Sequence, residues 1–310
     1  MEYSIKTVPE DFFVKEEIKL DFADKGAYSC YVLKKKNLST IEAINLISKK
    51  LGIDAKFMNF AGTKDKKAVT EQYITIKNGP KKNFDFGNAR IDFAGYLKER
   101  INLGDNSGNY FEIILGNASR VPKERNWMIN YFDDQRFSEQ NVEVGRAIVK
   151  KDFKKAAGFL KREINLEGND FVNALKQIDK KILRFYIHAY QSYLWNKSVS
   201  ESFGSGRKIS YCLGELYVPE KKPKKFRFPI IGFGTEENKA VKKILAEEKI
   251  EKRDFIIRQI PELSSEGTER EVIVDVNNLK IEDLGDKKIK LSFTLPKGCY
   301  ATMLVKQLFA

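Results

Sequence analysis

Residues 62–67 read Gly62-Thr63-Lys64-Asp65-Lys66-Lys67, one carboxylate among three lysines. Neighbouring ammonium groups favour the ionised form of an acid. That suits Asp65 to work as a nucleophile or anchored anion and not as a general acid. The same residues also read as a solvated turn, because charge runs commonly form solvated faces. The remainder of the chain has to decide between the two.

Rival chemistries lack residues. With a single histidine, His188, any Ser-His-Asp or Cys-His arrangement would have to use a residue that lies in an apolar helical stripe, far from a nucleophile signature. The three cysteines, Cys30, Cys212 and Cys299, form no CxxC pair, so neither a disulfide framework nor a His/Cys metal site is expected. No GxxxxGK[ST] or GxGxxG element occurs, which leaves phosphate-loop and dinucleotide binding without support. What remains is chemistry without metal or cofactor, using carboxylate, lysine and aromatic groups. Asp133-Asp134 is the nearest thing to the paired acids of a metal-dependent nuclease, and helix or loop surface is the reading preferred for it.

The net charge of +13 favours a polyanionic partner and faster encounter with it. Residues 31–90 hold 13 Lys/Arg against 5 Asp/Glu, so most of the surplus surrounds Asp65. A second basic knot, Lys221-Lys222-Pro223-Lys224-Lys225-Phe226-Arg227-Phe228, interleaves rings with cations, as nucleic-acid surfaces do and as flexible solvated loops also can. The start of the chain lacks the apolar stretch of a signal peptide, and no run is long enough to span a bilayer. A reduced cytoplasm is the expected compartment.

The elements that must position Asp65 follow from periodicity and punctuation. Residues 11–20 and 28–33 read as strands that can pair as neighbours. Ser39-Thr40-Ile41-Glu42 is a capping box, and the apolar spacing behind it predicts a helix over 40–51 that stops at Gly52. Strands at 57–60 and 73–76 leave Asp65 on the loop between them. Segments 100–103 and 110–115 flank a Gly-rich turn and predict a hairpin. Helices are expected over 140–149, 152–162, 180–203 and 236–249, and β-rich or loop-rich structure over 209–233. Strands follow at 271–276 and 288–295, and a helix over 300–308 closes the chain. Strands, then helices, then strands again give an α+β fold whose catalytic domain uses both termini and carries a mostly helical insertion.

Residues 62–72, ending Ala68-Val69-Thr70-Glu71-Gln72, follow the pattern G-x-K-D-K-x-A-V-T-x-Q, which resembles the TruD family of tRNA pseudouridine synthases. Four further elements resemble that family in its order. They are Lys6 with Pro9-Glu10-Asp11-Phe12, Val14 and Glu16; Gly108-Asn109-Tyr110-Phe111; Asn130-Tyr131-Phe132-Asp133-Asp134-Gln135-Arg136-Phe137; and Leu295-Pro296-Lys297-Gly298-Cys299-Tyr300-Ala301-Thr302. Gln191-Ser192-Tyr193-Leu194-Trp195-Asn196 resembles a segment of the family's inserted domain.

The resemblance implies a discontinuous pseudouridine synthase domain, residues 1–127 and 275–310, with a mixed, mainly antiparallel sheet, and an inserted TRUD domain at 128–274. It implies a tRNA substrate, with uridine 13 as target, and no cofactor or metal. Asp65 is then the nucleophile, with Lys6 its partner. Lys64, Lys66 and Arg136 are candidates for phosphates, and Phe12, Phe111, Tyr300 and Asn109 for the flipped base. Phe12 and Phe111 also read as ordinary core aromatics. Four positions depart from the pattern: Asp133 for glycine, Cys299 for serine, and Lys306-Gln307 where Arg-Glu is common. An RNA-binding or RNA-chaperone protein without the chemistry, and a metal-dependent nuclease, remain the alternatives, and oligomeric state is left open.

Overall fold

The computed structural model describes residues 2–137, 140–161, 164 and 168–310. The chain divides into two compact units, one of Met1–Asn126, Asp275–Ala301 and Phe309, the other of Trp127–Val274, Thr302–Leu308 and Ala310.

The first unit opens with β1 (Phe12–Glu17) and β2 (Tyr28–Lys36), followed by α1 (Thr40–Leu51), β3 (Met58–Phe60), β4 (Val69–Lys77), β5 (Phe84–Asp85), β6 (Ala89–Leu97) and β7 (Gly108–Leu115). The second unit holds β8 (Trp127–Ile129), α2 (Asp134–Phe137), α3 (Asn141–Val149), α4 (Phe153–Phe159), α5 (Phe171–Lys176) and α6 (Lys180–Phe203). It continues through β9 (Arg207–Tyr211), β10 (Gly214–Val218), β11 (Arg227–Ile230), α7 (Lys239–Glu248), β12 (Thr268–Glu271) and β13 (Ile273–Asp275), whose last residue already belongs to the first unit. The first unit then resumes with β14 (Asn277–Gly285) and β15 (Lys288–Pro296), and α8 (Ala301–Phe309) ends the chain. The expected helix over 152–162 is α4, with Arg162 outside the described residues.

The nine-stranded sheet of the first unit runs β14-β15-β7-β1-β4-β2-β6-β5, with β3 also on β4. Only β1 and β4 pair in parallel; the other pairings are antiparallel, so the sheet is mixed and mainly antiparallel and the class is α+β. β1 and β2 are not neighbours, as local sequence suggested, because β4 lies between them. The hairpin expected around Gly104 does not form either. Ile101 N donates to Thr75 Oγ1 at 3.2 Å and Gly104 N to the Ala61 carbonyl at 2.8 Å, so this backbone is committed elsewhere, while β7 takes β1 and β15 as partners.

α1 forms as its capping box dictates. Glu42 N donates to Ser39 Oγ at 3.2 Å and Ser39 N to Glu42 Oε2 at 2.7 Å, and Gly52 ends the helix at φ 67°. Its buried face, Ala43, Ile44 and Ile47, packs on Tyr31 and Leu33 of β2 and Ile74 and Ile76 of β4. Burial pushes the Cys30 thiol and the Tyr31 phenol up to about 12. An acid raised in the fold ionises first in the unfolded chain. Stability from these two is therefore complete below the unfolded pKa of about 8.5 for Cys and about 10 for Tyr, and is lost as pH rises toward 12. Urea unfolding should show stability declining above about pH 10, where both groups have ionised in the unfolded chain and remain neutral in the fold.

In the second unit the α6 stripe is core: Leu183, Ile187, Tyr190, Leu194 and Trp195 are buried. His188 lies on this helix, where burial, with Arg136 and Arg184 adding repulsion, pushes its pKa below the usual value.

Candidate active site

Strand alternation sets the face on which the site is built. Phe12, Val14 and Glu16 of β1 point to the side of the sheet that also carries Thr70 and Gln72 of β4 and Asn109 and Phe111 of β7, through the registers Val14↔Thr70, Glu16↔Asn109 and Val14↔Phe111. β3 occupies the C-terminal half of one β4 edge and β1 the N-terminal half. The connection 61–68 must therefore pass from one to the other, which carries Asp65 to the N-terminal ends of β1 and β4.

This connection has no regular structure, yet it is tethered residue by residue to surrounding elements. Gln72 Nε2 donates to the Gly62 carbonyl at 3.0 Å and Thr40 Oγ1 to Gln72 Oε1 at 2.8 Å, while Lys64 N donates to Thr40 Oγ1 at 2.9 Å. Lys64 Nζ lies 2.5 Å from Glu16 Oε1, with side chains only 7% and 0% exposed. Lys66 Nζ lies 2.6 Å from Glu42 Oε1, so the carboxylate that caps α1 also holds the loop. The Lys66 hydrogen bond, followed by bonds from Ser39, lowers the Glu42 pKa to about 2.

Lys6 makes the ion pair with Asp65, Nζ to Oδ2 at 2.5 Å. Its backbone is left-handed, φ 57°, a conformation that costs a non-glycine residue about 1 kcal/mol or more. Its ammonium also lies 4.0 Å from the centroid of the Phe12 ring. Phe12 meets Phe111 edge-on at 6.1 Å, and Phe111 stacks on Phe293 at 5.4 Å. Phe12 and Phe111 are buried, and the Phe12 ring, backed by Phe111, is the floor beneath the Lys6 ammonium. Beside them Asn109 keeps a buried Oδ1 with no hydrogen-bond partner. Gly108 before it is required by close strand approach, since a Cβ there would stand 2.5 Å from the Leu295 carbonyl oxygen. Tyr300 is partly buried, after Gly298 at φ 78° and just before α8.

Lys35, the middle of Lys34-Lys35-Lys36, is not among the residues that the motifs mark. It is 2% exposed, and its Nζ donates to the carbonyls of Leu38 (2.6 Å) and Asp65 (2.9 Å). The period-two alternation of β2 was the signal available, because it sets Lys35 on the face of Leu33 and Tyr31.

Together, the five motif elements occupy defined places in the fold. The family description tRNA pseudouridine synthase D (TruD) matches residues 1–161, 159–231 and 228–308. The chain belongs to the TruD family. The tRNA pseudouridine synthase D of Aquifex aeolicus is 29% identical over 100% of this chain and 98% of its own length. The probable tRNA pseudouridine synthase D of Nanoarchaeum equitans is 30% identical over 98% of each. A crystal structure of a Methanosarcina mazei protein assigned to TruD shares the fold, with a TM-score of 0.74 at 23% identity, covering 99% of this chain and 93% of that one.

The TruD motifs of the second unit form its interior. Asn196 clamps Phe132, accepting from its N at 2.9 Å and donating to its carbonyl at 2.8 Å, and Tyr131 Oη donates to the Tyr217 carbonyl at 2.7 Å. Arg136 is half-buried, 5.0 Å from the Phe185 ring and 3.2 Å from Ser192 Oγ. Two departures from the family pattern prove to be partners. Lys306 Nζ lies 2.9 Å from Asp133 Oδ1 and 2.7 Å from Asp134 Oδ2, and Thr302 donates to Asp133. The paired acids that suggested a nuclease are thus held by a lysine. Lys306→Met leaves Asp133, whose side chain is 4% exposed, without its ion pair. We expect a loss of about 2 kcal/mol in urea unfolding, mostly recovered in Asp133→Asn/Lys306→Met.

Proposed function

We propose that this TruD-family chain is a tRNA pseudouridine synthase, an isomerase that converts uridine 13 of tRNA with Asp65 as nucleophile. In this reading residues 1–127 and 275–310 form the synthase domain and 128–274 the inserted domain. The observation that carries it is one carboxylate, paired with Lys6 over an aromatic floor, on a loop that every neighbouring element restrains.

The Asp65 carboxylate attacks C1′ of the ribose as the bond from C1′ to uracil N1 breaks. The freed base turns, C5 attacks C1′ and expels Asp65, the C5 proton leaves, and N1 takes up a proton. Atoms and electrons balance within the nucleotide, so no oxidant or reductant is consumed. Lys6 supplies the countercharge that holds the carboxylate in place between the two displacements. Asn109, with its unmatched buried oxygen, suits the N3–H of the uracil edge once the base has left its stack. Tyr300 packs against that base above the floor of Phe12 and Phe111. Lys66, 59% exposed, meets a phosphate, as does Arg136, while the buried Lys64 anchors the loop.

tRNA suits the basic surplus around the loop, and binding should weaken with salt. We place the protein in the cytoplasm. No disulfide joins its cysteines, and among the described residues no helix is long and apolar enough to cross a membrane. The test is to incubate the protein with unmodified tRNA and map pseudouridine by carbodiimide-blocked primer extension. A new stop at position 13 is expected. Binding with no new stop would select the RNA-chaperone reading instead.

A further inference from the structure

β2 ends in three consecutive lysines, and only the middle one is buried. Lys34 and Lys36 face solvent, whereas Lys35 lies under the 61–68 loop, paired with the fully buried Thr70 of β4. Burying an ammonium is costly, and an apolar side chain of similar length would fill the slot at less cost. What the ammonium gains is two carbonyl acceptors from different segments, Leu38 before α1 and Asp65 itself. The peptide whose oxygen it grips is the one that leaves Asp65, so its orientation bears directly on where the carboxylate points.

We propose that Lys35 is a positioning residue, whose ammonium ties the Asp65 carbonyl to that of Leu38 and so fixes the direction of the Asp65 side chain. It touches no reacting atom, and its role rests on Asp65 being the catalytic group. The other tethers hold Gly62, Lys64, Lys66 and the Asp65 carboxylate, and this bond holds the peptide that leaves Asp65; a misplacement of about 1 Å there can cost about 10²-fold in rate. Burial lowers the Lys35 pKa to about 8; Asp65 and Glu42 oppose that shift and Lys64 adds to it. The clamp is therefore charged well below pH 8 and loses its charge as pH rises through about 8, where its charge-assisted bonds weaken.

Single-turnover conversion of tRNA by wild type, Asp65→Asn, Lys35→Met and Lys35→Arg, from about pH 6 to about pH 9, tests this. Wild type should slow as pH rises through about 8. Lys35→Met should be about 10²-fold slower, bind tRNA as tightly as wild type, and lack that alkaline decline. Lys35→Arg, which restores a cationic donor, should recover part of the rate. A Lys35→Met enzyme with full rate, or one that keeps the alkaline decline, overturns the proposal. Should Lys35→Met not fold, the wild-type profile decides alone: a rate that stays flat up to about pH 9 overturns it. An Asp65→Asn enzyme as active as wild type would instead overturn the assignment of Asp65, which keeps the two failures apart.

Discussion

Asp65→Asn is expected to abolish pseudouridine formation, with a fall of about 10⁴-fold or more in single-turnover rate, as loss of a nucleophile does elsewhere. The substitution keeps the size of the side chain and an oxygen that can accept from Lys6. The loop is fixed through Gly62, Lys64, Lys66 and the Asp65 carbonyl, none of which changes. Thermal unfolding should accordingly stay within about 1 kcal/mol of wild type. Affinity for tRNA should hold or rise slightly, because a negative charge leaves a basic surface. Filter binding and carbodiimide mapping on the same samples separate the two effects. An undiminished stop at the target uridine would end the case for Asp65.

Lys64→Met should be strongly destabilising, by about 3–5 kcal/mol in urea unfolding. Its ammonium is what balances Glu16, whose side chain is fully buried between β1 and the loop. Removing the lysine strands that carboxylate, although Glu16 retains the Tyr73 amide as a hydrogen-bond donor at 3.3 Å. Lys64→Met/Glu16→Gln should regain most of the loss, since the uncompensated charge is gone. Lys66→Met provides the contrast. Its pair with Glu42 is exposed on both sides, 59% and 44%, and such pairs contribute about 0–1 kcal/mol. If Lys64→Met cost no more than Lys66→Met, the burial of the Glu16 pair would have no energetic meaning. The two lysines that flank Asp65 thus have different work: one holds the loop in the fold, and the other is exposed at its surface.

Local sequence was sufficient wherever neighbours in the chain decide structure. The capping box at Ser39, the apolar spacing of α1 and α6, and the position of Asp65 on a connection between strands are all matters of a few consecutive residues. Where long-range pairing decides, local sequence went wrong. β1 and β2 are consecutive strands, but a strand from beyond α1 inserts between them, and the segment before Gly104 spends its amides on Thr75 and Ala61. β6, β14 and α5 also escaped notice, in segments that local pattern alone had not marked as strand or helix.

For the site, the sequence by itself determined the chemistry available: one carboxylate among lysines, with the histidine and cysteine alternatives absent, and a set of motifs specific enough to name a family. Only the tertiary structure decided which lysine does what. Lys6, distant in sequence, reaches Asp65; Lys64, adjacent to it, is buried against Glu16; Lys35, hidden in a run of three, grips the peptide. Likewise Asp133 and Lys306, two unrelated departures on paper, form one ion pair. The reason is physical: residue type sets what a group can do, whereas burial and the partner within a few ångströms set what it does, and both come from contacts far apart in the chain.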